Sequence, residues 1–124
     1  MGRAVVLEEP LSLWGGLDPA TGLIIDAHHP QHGVQVGGTI LVMPSGRGSS
    51  SSSSVLVEAV RRQTNPVALL LFEIDEILIL AAIVARALYG VLVPVALLDS
   101  TGHTSVRTGD FVEIDDSHIK VTRG

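Results

Sequence analysis

Thr39-Ile40-Leu41-Val42-Met43 runs into Pro44-Ser45-Gly46-Arg47-Gly48, then through six consecutive serines, Ser49 to Ser54, and out along Val55-Leu56-Val57-Glu58-Ala59-Val60-Arg61-Arg62. The opening run is apolar and reads as a strand. The closing run fits one amphipathic helix, with Glu58 three and four residues ahead of Arg61 and Arg62, a favourable exposed spacing. A strand, a tight glycine-rich loop and a helix, in that order, aim backbone N–H groups at an anion. Serines in the loop and first helical turn add hydroxyls that cap the helix, bind a ligand or take a proton. Glycine and serine by composition alone read as a flexible linker. A linker separates two self-sufficient domains, however, and neither flank of this 124-residue chain is long enough to be one.

The loop departs from the common phosphate-binding motifs. A nucleotide P-loop needs a Lys before its Ser/Thr, and none occurs here. Gly46-Arg47-Gly48 lacks the third glycine and the later ribose-binding acid of a dinucleotide site. What remains is an anion cradle with one fixed positive charge, Arg47, suited to bidentate binding of a carboxylate or phosphate.

Outward from the loop, Gly2 to Glu8 reads as a first strand ended by Pro10, and Leu11 to Trp14 as a short extended piece broken by Gly15-Gly16. Asp18-Pro19-Ala20-Thr21-Gly22 is turn chemistry, and Leu23 to Ile25 is a further short strand, so Trp14 to Ile25 is predicted to be a hairpin-like excursion. His28 to Gly33 is a polar loop. Beyond the helix, Val67 to Phe72 shows no polar alternation and is predicted to be a strand buried on both faces. Ile77 to Tyr89 is a second helix whose interior carries only Arg86 as a charge, with Gly90 as C-cap. A helix apolar all round is either enclosed by its own domain or covered by a partner. Val93 to Leu98 is a strand, Phe111 to Asp115 is a half-exposed one, and Asp116-Ser117 turns into a last strand, His118 to Val121. The fold class expected is α+β, a single domain over residues 1–124: a small barrel or sandwich with helices on one side.

Composition narrows the function. Net charge is −5 and the only basic pair is Arg61-Arg62, which argues against nucleic acid as the main partner. With no cysteine, thiol catalysis, disulfides and thiolate ligation of zinc or an iron–sulfur cluster by this chain are excluded. Acidic residues at Glu8 and Glu9 follow the start too soon for a secretory signal peptide, and the most apolar segment, Ile77 to Ala85, is about half the length that spans a bilayer. A cytoplasmic, soluble protein with no membrane partner is expected.

Among candidate chemical groups, His28, His29 and His32 have no accompanying carboxylate pattern of a zinc site, so a loop held by side-chain hydrogen bonds is the preferred reading and no metal site is assigned. Asp18, Asp26 and Asp75-Glu76 stand where turns and helix N-termini use acids structurally. No base neighbours the serines in sequence, so a Ser-His-Asp hydrolase has no support beyond His103, which only the fold would bring near.

Leu11-Ser12-Leu13-Trp14-Gly15-Gly16-Leu17-Asp18-Pro19, Thr21-Gly22, Ile25-Asp26, His28-His29-Pro30 and Pro44-Ser45-Gly46-Arg47-Gly48-Ser49-Ser50-Ser51-Ser52 together resemble the small subunit of aconitase X, from Leu11 to about Asp110. The resemblance implies the swivelling β/β/α domain of the aconitase type, closing over a large subunit that holds a [4Fe-4S] cluster. It implies a hydro-lyase active only with that subunit. The Gly-Ser-Ser element of such domains maps onto Gly48-Ser49-Ser50, so Ser49 is the implied catalytic base, with Ser50 or Ser51 as neighbouring registers. Arg47, Gly48, Ser50, Ser51 and Ser45 are the implied substrate-binding residues. Archaeal relatives imply a phosphorylated hydroxy acid as substrate, 5-phosphomevalonate dehydrated to trans-anhydromevalonate 5-phosphate. Bacterial relatives imply cis-3-hydroxy-L-proline. A low content of labile residues favours the archaeal type.

Overall fold

A computed structural model describes residues 2–44, 51–73, 75–98, 106–114 and 119–122. In chain order its elements are β1 (Gly2–Val6), a single turn α1 (Leu13–Gly16), β2 (Ile40–Met43), α2 (Ser51–Arg62), β3 (Ala68–Leu71), α3 (Glu76–Tyr89), β4 (Val95–Leu97), β5 (Phe111–Ile114) and β6 (Ile119–Thr122). The strands form one mixed sheet in the order β4-β3-β2-β1-β5-β6. β1 to β4 run parallel, while β5 is antiparallel to both β1 and β6.

β2 and β3 lie inside the parallel part and are buried at every residue. That is why their sequences are unbroken apolar runs rather than alternating ones. Their side chains still divide between two faces. Val5, Leu41, Met43, Leu69 and Leu71 meet Leu56 and Ala59 of α2 and Leu78 and Ala81 of α3 in one core cluster. Ala4, Ile40, Val42, Ala68 and Leu70 face the other way and join Val112, with Ile114, Ile119 and Val121 of the β5–β6 hairpin packed against them. The hairpin thus wraps over the face the helices leave open, and the sheet curls into a half-barrel of the α+β class with its helices on one side.

Local chemistry accounts for the element ends. α2 starts at Ser51, a turn earlier than the apolar periodicity predicts, so the last four serines are helical. α3 starts after Asp75, whose Oδ1 accepts from the N–H groups of Ile77 at 3.0 Å and Leu78 at 3.2 Å. It ends at Gly90, which takes φ 67° and donates its N–H to the carbonyl of Arg86. Asp75→Ala removes both capping bonds and is expected to destabilise the fold by about 1 kcal/mol, read as a lower urea midpoint at unchanged slope. An unchanged midpoint would show the cap to be dispensable.

The excursion between β1 and β2 closes as predicted around Asp18. Its carboxylate accepts from the N–H of Ala20 and the hydroxyl of Thr21, and its carbonyl accepts from the N–H of Gly22 at 2.7 Å. Leu17 and Ile24 pair antiparallel. Leu13 to Gly16 is a turn rather than extended chain, because Gly15 at φ 76° reverses the backbone and Leu17 donates its N–H to the carbonyl of Leu13. The excursion is pinned to the end of α2: the Thr64 hydroxyl donates to the Pro19 carbonyl at 2.6 Å, and a Cβ on Gly37 would lie 2.5 Å from the Thr64 carbonyl oxygen. The turn predicted at Asp116-Ser117 lies outside the described residues. No helix among the described residues is long and apolar enough to cross a membrane.

Candidate functional site

Four parallel strands place four C-terminal ends along one edge of the sheet, the edge where open α/β sheets bind ligands. β2 is central there, and its exit is held from both sides. Leu7, just beyond β1, donates its N–H to the Val42 carbonyl at 2.7 Å. Phe72 and Glu73, just beyond β3, both donate to the Pro44 carbonyl, at 3.0 and 3.1 Å. Residues 45–50 then connect this fixed point to the N-terminus of α2. Ser45, Arg47, Gly48, Ser49 and Ser50 lie outside the described residues, as does the side chain of Ser51, whose backbone opens α2.

The described frame suits an anion. The first turn of α2 carries no acidic residue, so nothing there opposes the positive end of its dipole. The last turn carries Arg61 and Arg62, and Arg61 donates from Nε and Nη2 to the Glu58 carboxylate. That hydrogen bond is the main reason the Glu58 carboxyl is held below the usual glutamate range, and the charges of Arg61 and Arg62 act in the same direction. Both basic residues therefore complement the far end of the helix and leave its N-terminus to the serines.

The other chemically capable residues are occupied structurally. Asp18 and Asp75 are the turn and cap described above, and the Asp26 carboxylate accepts from the N–H of His28 at 2.9 Å. His29 is buried; its Nδ1 accepts from the Gln31 N–H at 3.0 Å, which leaves Nε2 to donate to the Glu9 carbonyl at 3.2 Å. This is the loop held by side-chain hydrogen bonds that was expected for His28 to His32. Among the described residues no group of histidines and carboxylates is arranged to hold a metal ion. His103 lies outside the described residues.

Sequence reasoning passed over two features at this edge. The Gln31 side chain imitates a strand neighbour, donating from Nε2 to the Val6 carbonyl and accepting at Oε1 from the Glu8 N–H, each at 2.8 Å. Trp14, in the turn that packs beside α2, keeps 62% of its surface exposed, and Phe72, at the exit of β3, keeps 44%. No local pattern marks either one; exposure of an aromatic is decided by the tertiary fold.

A sequence model of the aconitase X swivel domain matches residues 1–122. The chain belongs to the aconitase X swivel-domain family. This swivel domain is 50% identical over 97 residues to cis-3-hydroxy-L-proline dehydratase of Pseudomonas aeruginosa, covering 78% of this chain but 17% of that one. It is 39% identical over 84 residues to the phosphomevalonate dehydratase small subunit of Methanothermobacter thermautotrophicus, covering 68% of this chain and 64% of that one. The chain thus spans less than two thirds of each of these curated relatives. The crystal structure of Thermococcus kodakaraensis aconitase X in its holo form superposes with a TM-score of 0.82 at 30% identity, over 97% of this chain and 87% of that one. The swivel fold expected from the sequence is therefore the fold observed.

Proposed function

We propose that this swivel domain, one domain over residues 1–124, is the small subunit of a cytoplasmic iron–sulfur hydro-lyase. The observation that carries the reading is the family match together with the order of the chain, in which the serine segment follows the central parallel strand β2 and leads into α2. In this reading the Ser49 hydroxyl, deprotonated, takes a proton from the carbon next to the substrate carboxylate. The C–H electron pair becomes the carbon–carbon double bond, the C–O bond of the neighbouring carbon breaks, and the departing hydroxide combines with the proton taken up by Ser49 to leave as water. Arg47 holds an anionic group of the substrate. The α2 N-terminus and backbone N–H groups stabilise the serine alkoxide, which would be far too basic in water. With no cysteine in its sequence, this chain has no thiolate for a [4Fe-4S] cluster, so we assign the cluster to a large subunit and derive no step through it.

The substrate we propose is 5-phosphomevalonate, dehydrated to trans-anhydromevalonate 5-phosphate; the reading is supported by relatives named as small subunits of that dehydratase. A second reading, cis-3-hydroxy-L-proline, is favoured by the higher identity, 50%, to the Pseudomonas enzyme. The test is to co-purify the chain anaerobically with the large aconitase X subunit of its own organism and offer both compounds. Water loss from 5-phosphomevalonate is the expected result. Water loss from hydroxyproline alone replaces the substrate and keeps the reaction class. No turnover of either, with phosphate or carboxylate ligands still binding in an Arg47-dependent way, would make the domain an anion-binding module and overturn the enzyme reading.

A further inference from the structure

Beyond Glu76 in its first turn, α3 carries Arg86 as its one charge, and the fold buries only one side of it. Leu78, Ala81 and Ala85 are buried against the sheet and α2. On the opposite side Leu80, Ile83 and Leu88 keep 57, 60 and 63% of their surfaces exposed, with Ile79 and Val84 beside them and Leu92 just beyond the helix. A groove of about 380 Å³ runs along one flank, between α3 and α2, and one of about 250 Å³ along the other, between α3 and the segment entering β4. Tyr89, Val91 and Leu97 are also exposed. So many large apolar side chains exposed on one helix and the segment after it mark an interaction surface rather than ordinary scattered exposure.

We infer that this face of α3, with the groove between α2 and α3, is the surface that docks the large aconitase X subunit. The inference rests on the proposed function and adds to it the place of contact. Three observations select that occupant. In the Pseudomonas dehydratase the matching part is 17% of the polypeptide, so most of that chain lies outside the swivel domain, and relatives the size of this chain are named small subunits. The α2–α3 groove is lined at one end by Ser53 and Ser54, in the first turn of α2, so a body seated in it lies against the end of the helix that the serine connection leads into. The charges at the rim of the two grooves, Arg61 and Arg86 against Glu58, leave an excess of positive charge, although the chain as a whole is acidic. That rim fits an apolar partner face bordered by carboxylates.

The test uses the co-expressed complex of the chain with the large subunit of its own organism. Hydroxyl-radical footprinting is expected to show Leu80, Ile83 and Leu88 labelled in the isolated chain and protected several-fold in the complex. Ile83→Glu and Leu80→Glu are both exposed, so the isolated variants are expected to keep the circular dichroism of the parent. Each is expected to weaken binding of the large subunit by about 30-fold or more, as truncation of a buried anchor does. Equal labelling in both states, or two folded variants that bind as well as the parent, overturns the inference. So does a concentration-dependent dimer of the isolated chain that Ile83→Glu abolishes while large-subunit affinity is unchanged, because the face would then belong to a second copy. Turnover measured on the same complex separates the two readings. An active complex with α3 unprotected removes the docking surface and keeps the function; a complex docked through α3 that dehydrates neither compound does the reverse.

Discussion

Ser49→Ala is expected to lower kcat of the reconstituted enzyme by about 10²–10⁴-fold, the usual contribution of a positioned general base, with little change in KM or in subunit affinity. Removal of one hydroxyl leaves the frame intact, because β2 is held at its exit by Leu7, Phe72 and Glu73 through backbone bonds to Val42 and Pro44. Ser50→Ala and Ser51→Ala are the register controls, each expected to act mainly on KM through lost substrate contacts. Near-full turnover by Ser49→Ala, with collapse in one of the neighbours, would move the base along the serine run. Near-full turnover by all three would remove the serine base from the mechanism.

Leu41→Ala is expected to cost about 2–5 kcal/mol of stability, the range for a leucine deleted from a packed core. Leu41 is fully buried at the middle of β2, paired with Val5 on one side and Leu69 on the other, and belongs to the cluster shared with both long helices. Since small domains are stable by only about 5–15 kcal/mol, a loss of this size lowers the thermal midpoint by roughly 10–20 °C. Circular dichroism melts of the isolated chain measure it, and a loss under about 1 kcal/mol would mean that the sheet rearranges around the site.

The elements that could be read from the sequence are those whose causes are local. Apolar runs fixed β2 and β3, Asp75 and Gly90 marked the ends of α3, and Asp18 to Gly22 announced its turn. The early start of α2 was hidden because serine is a poor predictor of helix interior yet is well accommodated in a first turn. Strand order was not legible either. β1 lies between β2 and β5 through pairings set by burial far along the chain, and nothing near Gly2 specifies which strands flank it. The same division applies to the site. The serine segment and its strand and helix flanks were plain in the sequence, whereas the clamp on Pro44, the surrogate strand contacts of Gln31 and the exposure of Trp14 depend on neighbours that only the fold assembles.

The position of β1 also governs when the protein becomes native in a cell. β1 is made first, but its β5 neighbour, Phe111 and Val112 opposite Arg3 and Gly2, leaves the ribosome roughly a hundred residues later, a very non-local pairing. The half-barrel therefore cannot close before β5 has emerged. Until β5 emerges, the nascent chain presents the side of β1 away from β2 as an unpaired sheet edge, together with the apolar face that Val112 and the hairpin later cover. Yield during expression is accordingly expected to depend on chaperone capacity at translation rather than on the stability of the finished fold.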